Sequence, residues 1–186
     1  GDMASFKINA TGELQLNGAA AGQAVIAVGG VIADSTIWDL RFRLSFPPSA
    51  SNLLRIYLLA DQAALPVANG YFLEIGENGS ADALRLFRQD GAAAKTLLAT
   101  GVPAFVATNP DIHLHVRRTK TGDWEVQAAA QNDALQVQCT ATDATYAGGM
   151  DRYFGFQCIF TVSNITKFFF DNISILPDAP DSKPPV

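Results

Sequence analysis

The chain has 186 residues, 48% apolar and 17% charged, with twelve phenylalanines and a formal net charge of −5. That apolar content supplies one large core and excludes intrinsic disorder, and the length suits a single all-β domain. Scattered Lys and Arg in an acidic chain argue against a nucleic-acid surface, and the longest apolar runs, such as Leu53 to Ala60, are interrupted by Arg55 and too short to span a membrane.

The first residues, Gly1-Asp2-Met3, carry neither an initiator Met nor a charged-then-apolar leader, so the chain reads as a piece of a longer precursor. Short strands are expected at residues 6–9, 13–16 and 23–28. Residues 38–46 alternate cleanly: Trp38, Leu40, Phe42, Leu44 and Phe46 fill one face, and Asp39, Arg41, Arg43 and Ser45 the other. Pro47-Pro48 ends that strand, because proline cannot donate to a ladder.

Residues 52–61 follow, with Leu54, Ile56, Leu58 and Ala60 inward and Leu53, Arg55, Tyr57, Leu59 and Asp61 outward. Residues 71–77 and 83–90 form a pair joined by a loop, and a short strand is expected at 94–99. Residues 113–120 and 124–130 make a hairpin around Thr121-Gly122-Asp123. Strands at 135–142, 153–161 and 167–176 complete the set. No stretch keeps a helical period over three turns.

The fold class is therefore all-β: a two-sheet antiparallel jelly-roll sandwich over residues 1–176. Trp38, Leu40, Phe42, Leu44, Leu54, Ile56, Phe154, Phe156 and Phe170 are expected between the sheets. Residues 177–186 hold four prolines in ten positions and read as a stiff linker to a downstream module.

Several stretches carry a resemblance. They include Phe6-Lys7-Ile8-Asn9, Arg55-Ile56-Tyr57-Leu58, Gly70-Tyr71-Phe72, Leu86-Phe87-Arg88-Gln89-Asp90-Gly91, Tyr153-Phe154-Gly155-Phe156 and Lys167-Phe168-Phe169-Phe170-Asp171-Asn172. Together they resemble a bacterial family of concanavalin A-like, laminin-G-like domains of large secreted or surface proteins. The resemblance implies the concanavalin A-like lectin/glucanase type of sandwich, an extracellular or cell-surface location and downstream domains in the same parent chain. By analogy of fold it also implies a glycan or cell-surface polymer as partner.

Catalytic constellations are missing from the pattern. The two histidines, His113 and His115, sit two apart on one strand and read as surface residues on one face. A metal pair there needs a third ligand, which no Cys-rich or His-x-Glu pattern supplies. Glycoside hydrolysis needs two carboxyl groups about 5–10 Å apart across a groove. Glu74 is alone on its strand's polar face, and reads as a charge paired with a neighbouring Arg. The chain is not expected to be an enzyme.

No cofactor is expected. Calcium is the one ion the pattern admits, at Asp171 before Asn172, where the alternative is a carboxylate capping backbone amides. Cys139 and Cys158 both point inward by parity, and read as a disulfide or as two buried thiols.

The polar faces supply the candidate ligand site: Arg43, Arg55, Tyr57, Glu74, Arg85 and Gln89, with Tyr57 and Phe87 able to stack on a sugar. The alternative is a sheet face held by cross-strand charge pairs. The functional expectation is a non-catalytic binding or adhesion module, carbohydrate-binding in type, of an exported multidomain protein. A spacer or protein-interaction domain is the alternative, which exposed apolar patches would favour. A glycoside-hydrolase-related domain ranks last.

Overall fold

The computed structural model describes residues 1–77, 79–131 and 133–178, so all of the Pro-rich tail beyond Asp178 lies outside the described residues. The strands are β1 Phe6–Ile8, β2 Leu14–Leu16, β3 Gly22–Ile32, β4 Thr36–Leu44, β5 Leu53–Ala60, β6 Asn69–Ile75 and β7 Arg85–Asp90. They continue with β8 Ala94–Thr100, β9 Asp111–Arg118, β10 Asp123–Ala130, β11 Gln136–Thr142, β12 Gly149–Phe160 and β13 Phe168–Pro177. Seven form one sheet in the order β1-β2-β13-β4-β9-β10-β11, and six form the other, β3-β12-β5-β6-β7-β8. Every strand pairing is antiparallel.

Period-two alternation builds the core as the sequence foretells. β4 alternates buried and half-buried residues along its whole length. All nine anticipated core side chains are buried, and each contributes about 1.5–3 kcal/mol relative to exposure. Trp38 stacks on Trp124 with ring centroids 5.8 Å apart, and Phe156 stacks across the layers on Phe170 at 3.9 Å.

β5 departs from strict alternation. Tyr57 pairs with Phe72 and Leu59 with Tyr71, so Leu58 is an extra residue, a β-bulge. Beyond it the parity inverts: Leu59 joins Leu58 in the core, and Ala60 turns to the outer face. Gly70 lies opposite, where a Cβ would fall 1.8 Å from the Leu59 carbonyl oxygen, so only glycine fits.

β3 runs four residues further than its sequence suggested at one end, to Ile32, because it pairs with β12 along its whole length. At the C-terminus β13 includes Pro177, whose missing N–H is tolerated at a strand end. Asp178 then anchors to the domain through Arg117 Nε at 2.7 Å.

The disulfide alternative fails. Cys139 is on β11, at one edge of the seven-stranded sheet, and Cys158 is on β12, near the opposite edge of the other sheet. Both are buried free thiols, and burial pushes Cys139 up to about 11 and Cys158 well above the ordinary thiol range. Parity told that each faces inward, but not that the sandwich separates them.

A second, smaller layer covers part of the six-stranded sheet's outer face. The turn Leu65–Val67 folds back over it, and Leu65 packs with Val25, Tyr57, Ala60, Ala68, Phe72 and Phe87. Gly155 leaves room for this: a Cβ there would lie 3.0 Å from a Leu65 methyl and 2.1 Å from the Ile26 carbonyl oxygen.

Candidate functional site

Cross-strand register writes a polar row across that outer face. Gln157 pairs with Arg55, Arg55 with Glu74, Glu74 with Arg85, and Arg85 with Thr100, so β12, β5, β6, β7 and β8 each contribute one residue. The next row is apolar: Gly155, Tyr57, Phe72, Phe87 and Leu97. Phe72 and Phe87 stack at 5.2 Å and form a floor beside the charges.

Glu74 is the hub of the polar row. Its side chain is only 3% exposed and accepts from Arg55 Nε at 2.8 Å, Arg85 Nη2 at 2.8 Å and Lys95 Nζ at 2.9 Å. Lys95 arrives from β8 by lying over the Phe87 ring, its Nζ 4.5 Å from the centroid. Burial alone would raise the Glu74 pKa. Lys95 and Arg55 outweigh that and hold the carboxyl below its ordinary range. A carboxylate so held is ionised at neutral pH and cannot serve as the proton donor that glycoside hydrolysis requires.

The arginines are tied on their other sides. Arg55 Nη1 donates to Gln157 Oε1 at 3.2 Å, and Gln157 Nε2 donates on to Gln23 Oε1 at 2.9 Å, carrying the row to β3. Arg85 Nη1 meets Glu77 at 2.9 Å, while its buried Nε has no hydrogen-bond partner among the described residues.

Arg55, Glu74 and Arg85 therefore come together as the sequence suggested. Tyr57 and Gln89 share the face but are closed over by the Leu65–Val67 turn and are 1% and 5% exposed. Tyr57 OH donates to Gln89 Oε1 at 3.1 Å, and Gln89 Nε2 donates to the carbonyls of Leu65 at 2.9 Å and Ala68 at 2.7 Å. Phe87 is buried as well, so neither ring is available to stack on a sugar.

Arg43 belongs elsewhere. β4 lies in the seven-stranded sheet, and Arg43 points from that sheet's outer face, bound to Glu13 at 2.9 Å and stacked 3.7 Å above Phe169. Alternation gave its orientation but not its sheet. Sequence reasoning missed Gln157 and Lys95. The parity of β12, with Phe156 and Cys158 inward, pointed to Gln157, whereas nothing local in the exposed strand β8 singled out Lys95.

His113 and His115 do share one face, and a third group stands between them. His113 Nε2 and His115 Nδ1 each bond a different oxygen of Asp39, both at 2.9 Å, because Asp39 on β4 pairs with His115 on β9. Burial raises the Asp39 pKa, and bonds from His115 and His113 more than reverse that. Asp171 takes the backbone role: its Oδ1 accepts from the N–H of Asn172, which sits at φ 52° in the left-handed region. Among the described residues no group of three or more His, Cys, Asp and Glu side chains is arranged to hold a metal ion.

No family model matches the sequence, and no curated protein matches it. Solved structures do match the fold over nearly the whole chain. The VIP36 exoplasmic/lumenal domain in its Ca2+/Man2-bound form superposes with a TM-score of 0.70 at 11% identity, covering 97% of this chain and 81% of that one. The Emp47p carbohydrate recognition domain gives 0.66 at 11% identity, covering 94% and 86%. The potassium-bound Emp46p carbohydrate recognition domain gives 0.66 at 11% identity, covering 91% and 84%. What the chain shares with them is the concanavalin A-like, legume-lectin-type β-sandwich.

Proposed function

We propose that this domain is a non-catalytic carbohydrate-binding module, and that the ligand lies along the row Gln157–Arg55–Glu74–Arg85–Thr100. The observation that carries the reading is this register-aligned row of planar donors and acceptors on an aromatic floor. The sandwich also superposes over 97% of its length on a mannose-bound lectin domain. Arginine, glutamine and carboxylate groups bond sugar hydroxyls in pairs, and cross-strand ion pairs fix their orientations before the ligand arrives.

The setting we propose is an exported multidomain parent chain acting outside the cell. Support comes from the laminin-G-like resemblance and from the exoplasmic/lumenal origin of the VIP36 relative.

A second reading has its own observation. Glu74 is saturated by three cations, so the row is also a self-satisfied charge lattice suited to a spacer or interaction domain. A glycan array followed by calorimetry separates the two. The carbohydrate reading expects a binder whose affinity falls about tenfold or more in Arg55→Ala and Arg85→Ala, the loss of a charged hydrogen bond. No binder, or a binder indifferent to both substitutions, supports the lattice.

A further inference from the structure

The two outer faces of the sandwich carry leftover charge of opposite sign. On β5 to β8 the outward charged side chains are Arg55, Glu74, Arg85 and Lys95, three cations around one carboxylate. Glu77, on the turn after β6, brings a second carboxylate and pairs with Arg85, so the group keeps one positive charge in excess. That excess stands in a chain whose net charge is −5.

Open donors lie in the same place. Lys95 Nζ has three N–H groups, bonds only Glu74 among the described residues, and belongs to a side chain that is 42% exposed. Arg55 donates from Nε to Glu74 and from Nη1 to Gln157, and its Nη2 has no partner among the described residues. Both cations reach the same oxygen, Glu74 Oε2, at 2.8 and 2.9 Å, so they adjoin. Glu74 is buried beneath them, which leaves the cations nearer to solvent than the carboxylate that holds them.

The seven-stranded sheet presents the reverse. Its outward arginines are matched: Arg41 grips Asp111 through Nε and Nη2 at 2.7 and 2.6 Å, Arg43 holds Glu13, and Arg117 holds Asp178. Asp123, Glu125 and Asp171 have no such cation. They are met by threonine hydroxyls, a glutamine amide and a backbone N–H respectively. Against these three carboxylates stands one unpaired base, Lys7 on the marginal strand β1.

We infer that the ligand of the proposed module is an anionic glycan, one bearing carboxylates or sulfates, whose acid groups bind between Lys95 and Arg55; the inference rests on the carbohydrate reading above. Charge-assisted hydrogen bonds are roughly twice as strong as neutral ones, and the open donors here are all cationic. A neutral sugar leaves the excess charge uncompensated. The opposite face turns an acidic polymer away by like-charge repulsion, so the two faces together set which side it approaches.

Calorimetry of the full chain with polygalacturonate and with its methyl ester tests the inference, because esterification removes the charge and keeps the sugar backbone. Alginate and dextran sulfate extend the anionic arm and separate carboxylate from sulfate, while mannan and dextran extend the neutral arm. The expected result is an anionic polymer bound about tenfold or more tighter than any neutral one. Lys95→Gln and Arg55→Gln should each weaken that binding about tenfold, the loss of one charged hydrogen bond. Lys7→Gln, on the other face, should leave it unchanged. Circular dichroism melts confirm that all three fold. Neutral polymers bound as tightly as anionic ones overturn the inference and leave the carbohydrate reading standing, whereas binding in neither arm overturns both. An anionic polymer bound with no regard to Lys95→Gln and Arg55→Gln also overturns it, since the acid groups then lie elsewhere.

Discussion

Asp143 shows how tightly one side chain can be held. Only 9% exposed, it accepts from Tyr71 OH at 2.7 Å, Arg88 Nη1 at 2.7 Å and the Thr145 N–H at 2.9 Å. Burial raises its pKa, but these bonds pull it down to about 2. A carboxyl depressed in the folded state stabilises the fold above its unfolded pKa, and that stabilisation drains away as pH falls from about 4 toward 2. Asp143→Asn should cost about 2 kcal/mol at pH 7 in urea unfolding, with the gap from wild type closing near pH 2. A gap constant across that range would mean that shape, not charge, is what Asp143 supplies. At this scale the sequence was partly legible. Glu74 reads correctly as a carboxylate paired with arginine, because its partners flank it on adjacent strands. Tyr57 and Gln89 read as exposed side chains but are buried, because what covers them comes from a turn rather than from their own strands.

That turn, Leu65–Val67, is held by side chains reaching out of the sheet: Gln89 Nε2 bonds two of its carbonyl-bearing neighbours, and Leu65 fills the space that Gly155 leaves. Leu65→Ala should lower stability by about 2–5 kcal/mol, the usual range for a fully buried leucine. An unchanged urea midpoint would show that the turn rests on the sheet without bracing it. Strand positions were legible to within a few residues, since period-two patterning and turn residues are local signals. The β5 bulge was not, because Leu53, Leu54, Leu58 and Leu59 are apolar in both parities and only pairing with β6 selects the register. Edge protection is likewise invisible along a single strand, so β3 announced its apolar character but not its place at the rim.

For the whole molecule, the two sheets and their shared core followed from alternation, while the sheet to which each strand belongs did not. β4 lies between β9 and β13, partners some 70 and 130 residues away in sequence, and no local pattern encodes such pairings. The cysteines illustrate the result, being both inward yet in different sheets near opposite edges. Thiol titration without reductant should therefore find neither group reactive in the folded chain, where burial keeps both protonated, and two after unfolding. A count of zero after unfolding would mean that the pair is oxidised.

The place of β13 bears on how such a chain is made. β1 and β2 precede the other described strands in chain order, yet they join their sheet only through β13, the last of them. The β1–β2 pair must wait, undocked, until almost the entire domain has been synthesised. Loop-closure entropy has then to be met across the full length before that contact is rewarded, which puts the fold among the slow, non-local class. During that interval the uncharged β3 is also without β12, so a strand well able to pair with a neighbour stands bare while the chain is still growing.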